Sequence, residues 1–156
     1  MVDCNPYQTP MEQRLKLSKA SFALPVDATE YRSIIGSLRY LVHSCPDLAF
    51  SVRYMSQFME NPTVGHHAAM KRILRYVTRI INFDWYYTKK GIKEGLIGFS
   101  DSDFVSDVDT RKSTNGILFF FGSSLANWQS QKKRVIALSS CVAEYIAATT
   151  VACQAV

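Results

Sequence analysis

The spacing of apolar residues changes near the middle of the chain. Tyr31, Ile34, Ile35, Leu38, Leu41 and Val42 recur close to every 3.6 residues, which predicts one face of a helix. Asp27, with Glu30 three residues on, forms a capping box at its start. A second helix carries Pro46 in its first turn, where a missing N–H costs no hydrogen bond. Its buried seam is Leu48, Val52, Met55 and Met59, and Asn61-Pro62 ends it. Thr63 then caps a third helix with Met70, Ile73, Leu74, Val77, Ile80 and Ile81 on its apolar face. Lys71, Arg75 and Arg79 recur every four residues on another face.

Beyond residue 82 the period falls to two. Residues 83–87 and 96–100 read as strands joined by a basic turn with Gly91 and Gly95. Residues 114–121 and 126–130 read as two more strands around Gly122-Ser123-Ser124, and 135–138 as a short fifth. Ser139 or Ser140 caps a final helix that runs through Glu144, Tyr145 and Ile146 to the end. Helices followed by an antiparallel meander and one more helix define an α+β fold. Residues 1–26, interrupted by Pro6, Pro10 and Pro25, form an extended leader expected to pack loosely or not at all. The divisions are 1–26, 27–82 and 83–156. The final helix has no stop signal and the small sheet keeps an uncovered edge or face, so the sequence reads as if it once continued. Exposed apolar surface of this kind predicts poor solubility without a partner.

Composition narrows the class. The 156 residues are 47% hydrophobic and 20% charged, which excludes a disordered tail or a collagen-like repeat. No apolar run is long enough to cross a membrane, and the start lacks a secretory signal, so the reading is cytosolic unless export uses another route. Cys4, Cys45, Cys141 and Cys153 are scattered, and with His43, His66 and His67 they complete no zinc spacing. Eighteen Lys and Arg against 13 Asp and Glu leave a charge of +5, which permits nucleic-acid contact without demanding it.

Asp101, Asp103, Asp107 and Asp109 place four carboxylates within nine residues. Such a cluster repels itself unless a hard cation or basic groups intervene. It is either a Mg²⁺ or Mn²⁺ site or a solvated acidic loop answered by Arg111 and Lys112. It is no EF-hand, because Val105 takes the fifth position and no glycine follows. Glu144, read in the first turn of the last helix, either interacts with the helix dipole or faces Asp101 across the sheet to share a divalent ion.

The segment 98–104, GFSDSDF, resembles the first strand of the ribonuclease H region of copia-type retrotransposon polyproteins. So do DTRKSTNG at 109–116, NWQSQKK at 127–133 and ALSSCVAEYIA at 137–147. EYRSIIGSLRYL at 30–41 and PDLAF at 46–50 resemble the helical connection that precedes that region. The resemblance implies N-terminal helices followed by a truncated ribonuclease H-like antiparallel meander with one C-terminal helix. It also implies a two-metal nuclease that cuts the RNA strand of an RNA–DNA hybrid. Asp101 matches the first metal carboxylate and Glu144 the second, while Asp103 is a motif neighbour. The third and fourth carboxylates lie downstream in the family, after the last residue here, and Val142 stands where that family often carries an acid. The expectation is therefore no nuclease activity unless a second chain supplies the missing half.

Arg72-Ile73-Leu74-Arg75 matches the motif of the secreted RxLR effectors of oomycete plant pathogens. It lies inside an amphipathic helix, with Leu74 read as core and the arginines as solvated. The combined expectation is a non-enzymatic retroelement-derived protein, secreted and active in host plant cells as a suppressor of cell death. It would need no cofactor and act on an unidentified host protein. The alternative is a Mg²⁺-dependent ribonuclease H on RNA–DNA hybrids. Lys71, Arg75, Arg79, Lys132, Lys133 and Arg134 form a basic face for phosphates in either case.

Overall fold

A computed structural model describes residues 4–20, 22–84, 86–87 and 95–155. The chain divides into two compact units between Phe83 and Asp84.

In the first unit, Asp27 caps α1 (Ala28–Leu41) by accepting the Thr29 N–H at 2.7 Å. Pro46–Leu48 forms a 3₁₀ turn before α2 (Ala49–Met55), and a second turn, Ser56–Phe58, follows it. Thr63 begins α3 (Val64–Ile80), and His66 returns its Nδ1 to the Thr63 N–H at 3.0 Å. The orphan amide at that helix start is thus satisfied by an imidazole, where the usual capping box carries Glu or Gln. Tyr31, Ile35, Leu48, Met55, Met70 and Ile73 meet at the centre with no exposed surface. Each such side chain contributes about 1.5–3 kcal/mol relative to an exposed one. The Tyr31 hydroxyl donates to the Met55 carbonyl at 3.0 Å, so the one polar atom on that ring is paired. Burial alone pushes its phenol far above the ordinary tyrosine range.

The leader is extended, but it does not pack loosely. Met11 and Leu17 pack against the core, and the Leu17 N–H donates to the Tyr54 hydroxyl at 2.9 Å. Pro25 bridges Thr63, with Val26 N–H to the Pro62 carbonyl and Val64 N–H to the Leu24 carbonyl, both at 3.0 Å. Backbone pairing holds this segment where its sparse leucines gave no periodic signal.

The second unit is a meander with order β1-β2-β3: β1 (Leu96–Ser102), β2 (Thr114–Phe121) and β3 (Ser124–Lys132). Gly122 has φ +60°, a left-handed conformation that suits glycine in the tight β2–β3 turn. A bulge falls between Phe119 and Phe120. Ser139 caps α4 (Ser140–Gln154) by accepting the Val142 N–H at 3.2 Å. α4 lies over β1 and β2 with Ala143 and Ala147 fully buried. A Cβ on Gly98 would stand 2.7 Å from Val151 and 3.1 Å from Phe119, so this glycine is what lets the helix approach.

Two expected strands do not form among the described residues. Residues 83, 84, 86 and 87 lie in no strand, because the Phe83 N–H bonds back to Ile80 and closes the α3 terminus instead; Trp85 and residues 88–94 lie outside the described residues. Residues 135–138 bend rather than pair, with Val135, Ile136 and Leu138 exposed and only Ala137 buried. The fold is α+β, with helices first, a three-stranded antiparallel sheet, and one C-terminal helix.

Candidate functional site

The acidic cluster separates into two kinds of carboxylate. Asp103 accepts the Thr114 N–H at 2.7 Å and the Ser106 hydroxyl at 2.5 Å. Asp107 accepts the Asp109 and Thr110 N–H groups at 2.9 and 2.7 Å and pairs with Lys132. These two build the loop between β1 and β2, which holds Val105 and Arg111 at φ +55°. Burial pushes the Asp107 carboxyl up, but the Lys132 ammonium and the Thr110 amide prevail and hold it below the usual range.

Asp101 sits on β1 opposite Gly116, and it is exposed. Glu144 is the fifth residue of α4, past the first turn rather than in it, and it is exposed too. Strand alternation groups Asp101 with Ile97 and Phe99, whereas α4 lies on the Gly98 side. Asp101 therefore lies on the face of β1 turned away from α4, the helix that carries Glu144. Carboxylate oxygens suit Mg²⁺, but that ion needs near-octahedral donors held together. Among the described residues, no group of three or more His, Cys, Asp or Glu is placed to hold a metal. Asp101 and Glu144 alone would leave most of that coordination to water or to other groups.

The expected basic face is half consumed inside the protein. Lys133 is buried and donates to the Ala143 carbonyl at the start of α4. Burial lowers its amine, against the opposing charges of Glu144 and Asp103. Lys132 is tied to Asp107. Lys71, Arg79 and Arg134 are exposed.

The Arg-Ile-Leu-Arg segment is not a solvated tag. Ile73 is fully buried and Leu74 packs against the core. Arg72 donates to Glu12 Oε1 at 2.7 Å, to the Thr9 hydroxyl at 3.0 Å and to the Thr9 carbonyl at 3.3 Å. Arg75 donates to the Asn5 carbonyl at 2.8 Å. Both guanidinium carbons stand over the Tyr7 ring, at 4.5 and 4.4 Å from its centre. Tyr7, Thr9 and Glu12 sit in a proline-punctuated stretch without periodicity, and nothing local in the sequence marks them as partners of α3.

A helical unit joined to a meander that packs one helix over its first strands is the arrangement expected of a retroelement connection and ribonuclease H region. Comparison with known proteins supports the retrotransposon polyprotein part of that expectation. The chain is 41% identical to the retrovirus-related Pol polyprotein from transposon RE1 of Arabidopsis thaliana, over 93% of its own length and 10% of the polyprotein. It is 38% identical to that from transposon TNT 1-94 of Nicotiana tabacum, over 96% of its length and 12% of the polyprotein. It thus spans about a tenth of these relatives. It is also 39% identical to the secreted RxLR effector protein 161 of Plasmopara viticola, over 81% of the chain and 89% of that protein. The chain belongs to the family of copia-type retrovirus-related Pol polyprotein sequences. No family model and no solved structure matches it.

Proposed function

We propose that this retroelement-derived protein acts by binding, without catalysis, as a secreted effector that enters plant host cells and suppresses host cell death through a host protein. The observation that carries the reading is its 39% identity along 89% of a protein described as a secreted effector. The Arg-Ile-Leu-Arg segment adds no support, because its arginines are engaged by the leader. Asp101 on the face of β1 turned away from α4 supports a role without metal chemistry.

The second reading is a Mg²⁺-dependent ribonuclease H module acting on RNA–DNA hybrids. The polyprotein relatives, which match 93% or more of the chain, favour it. Expression of the chain in plant leaf beside a cell-death inducer, with Asp101→Asn/Glu144→Gln in parallel, separates the two. Equal suppression by both supports the effector reading. Suppression lost only in the double variant favours metal chemistry, and no suppression by either overturns the effector reading.

A further inference from the structure

Lys71, Arg72, Arg75 and Arg79 project within about a quarter to a third of a turn of one another on α3, since each residue advances about 100°. Four cations on so narrow an arc repel one another unless anions or acceptors lie between them. The leader supplies those acceptors to the middle pair. The Glu12 carboxylate meets Arg72, the Thr9 and Asn5 carbonyls meet Arg72 and Arg75, and the Tyr7 ring spans both guanidinium groups. Glu12 and the two carbonyls present oxygens to the guanidinium groups as phosphates would.

We propose that this row on α3 is a binding site for the phosphate backbone of nucleic acid, and that Asn5, Tyr7, Thr9 and Glu12 of the protein's own leader occupy it as a built-in competitor. In the closed state Lys71 and Arg79 are exposed while Arg72 and Arg75 are half-buried under the leader, and binding is weak. A polyanion that displaces Tyr7 and Glu12 gains Arg72 and Arg75 as well, doubling the phosphate contacts. An anionic membrane is the poorer partner. Interfacial helices insert an apolar face, and the apolar face of α3 (Met70, Ile73, Tyr76) is already buried in the core. The proposal requires neither the effector reading nor the nuclease reading, since it uses none of their residues beyond Lys71 and these arginines.

The test uses the full chain and a fluorescein-labelled DNA duplex, with anisotropy followed from about 50 to 200 mM salt. Each phosphate contact adds about 0.9 to the slope of log affinity against log salt. Tyr7→Ala/Glu12→Gln should bind at least several-fold more tightly than wild type at low salt, with a slope steeper by roughly 2. Glu12→Gln alone, which keeps the Tyr7 stack, should move part of the way and serves if the double variant loses its melting transition. Adding Arg72→Gln/Arg75→Gln should cancel the gain. Unchanged affinity and slope in the leader variants overturn the proposal. So does a gain that survives loss of both arginines, or a gain seen on phosphatidylserine vesicles and not on DNA.

Discussion

The two units answer the same problem, the burial of an apolar face, in opposite ways. The helical unit closes on itself: α1, α2 and α3 turn their stripes inward, and six large side chains at the centre reach zero exposure. The sheet unit closes on one side only. Under α4 lie Ile117 and Phe119 with Ala143 and Ala147, so its buried layer is thin and partly built from small residues. On the other face Ile97, Phe99, Leu118 and Phe120 line an open apolar depression of about 480 Å³. Three helices can surround a core, whereas a sheet with one covering helix is hydrophobic on a face that the helix does not reach. The identity of a residue therefore says less than its side: phenylalanine is core at position 119 and surface at position 99.

This contrast can be broken most directly by cavity formation. Ile73→Ala should cost about 2–5 kcal/mol, whereas Phe99→Ala should change stability by about 0.5 kcal/mol or less, both by urea denaturation. Equal losses would mean that the open face is closed in solution. Next in size is the α4 contact. Gly98→Val should destabilise the sheet unit by about 1–3 kcal/mol through overpacking on Val151, and Val151→Ala should recover part of it. Additive losses in the double variant would argue that α4 does not lie there.

Tyr31 gives a smaller effect with a definite sign. Its folded-state pKa is raised, so the stability it contributes is fully present below the unfolded value of about 10 and is lost as pH rises through and beyond it. Lys133 works in the other direction, because its folded-state pKa is lowered and folding gains as the amine deprotonates. Subtracting the Tyr31→Phe stability curve from that of wild type isolates the tyrosine. The difference should be about 1 kcal/mol at neutral pH and should fall above pH ~10. A difference independent of pH would place the phenol in water.

Much of this arrangement could be read from the chain. The stripes of α1 and α3, the caps at Asp27, Thr63 and Ser139, and the limits of β2 follow from local chemistry and stand in the structure, except that Ile81 falls past the end of α3 and is exposed. Tyr76 and His66 are not read as core because they look polar, although Tyr76 is buried against Asp47 and His66 stacks on Phe58 at 4.0 Å. The expected strands around 83–87 and at 135–138 do not form among the described residues, because alternation alone supplies no partner. The site was less legible than the fold. That Lys132, Lys133, Arg72 and Arg75 are used internally depends on contacts with residues 10 to 70 positions away, which no spacing rule reports. The relation of Asp101 to Glu144 depends on which face α4 covers, and Gly98 decides that only once the helix is docked.

The most direct test of a role without catalysis is cleavage of a labelled RNA–DNA hybrid by residues 1–156 in Mg²⁺ or Mn²⁺, beside Asp101→Asn/Glu144→Gln. The account predicts no RNA cleavage by the wild-type chain above that of the double variant. Metal-dependent cleavage by wild type that disappears in the double variant would contradict it and establish the two carboxylates as parts of a working nuclease.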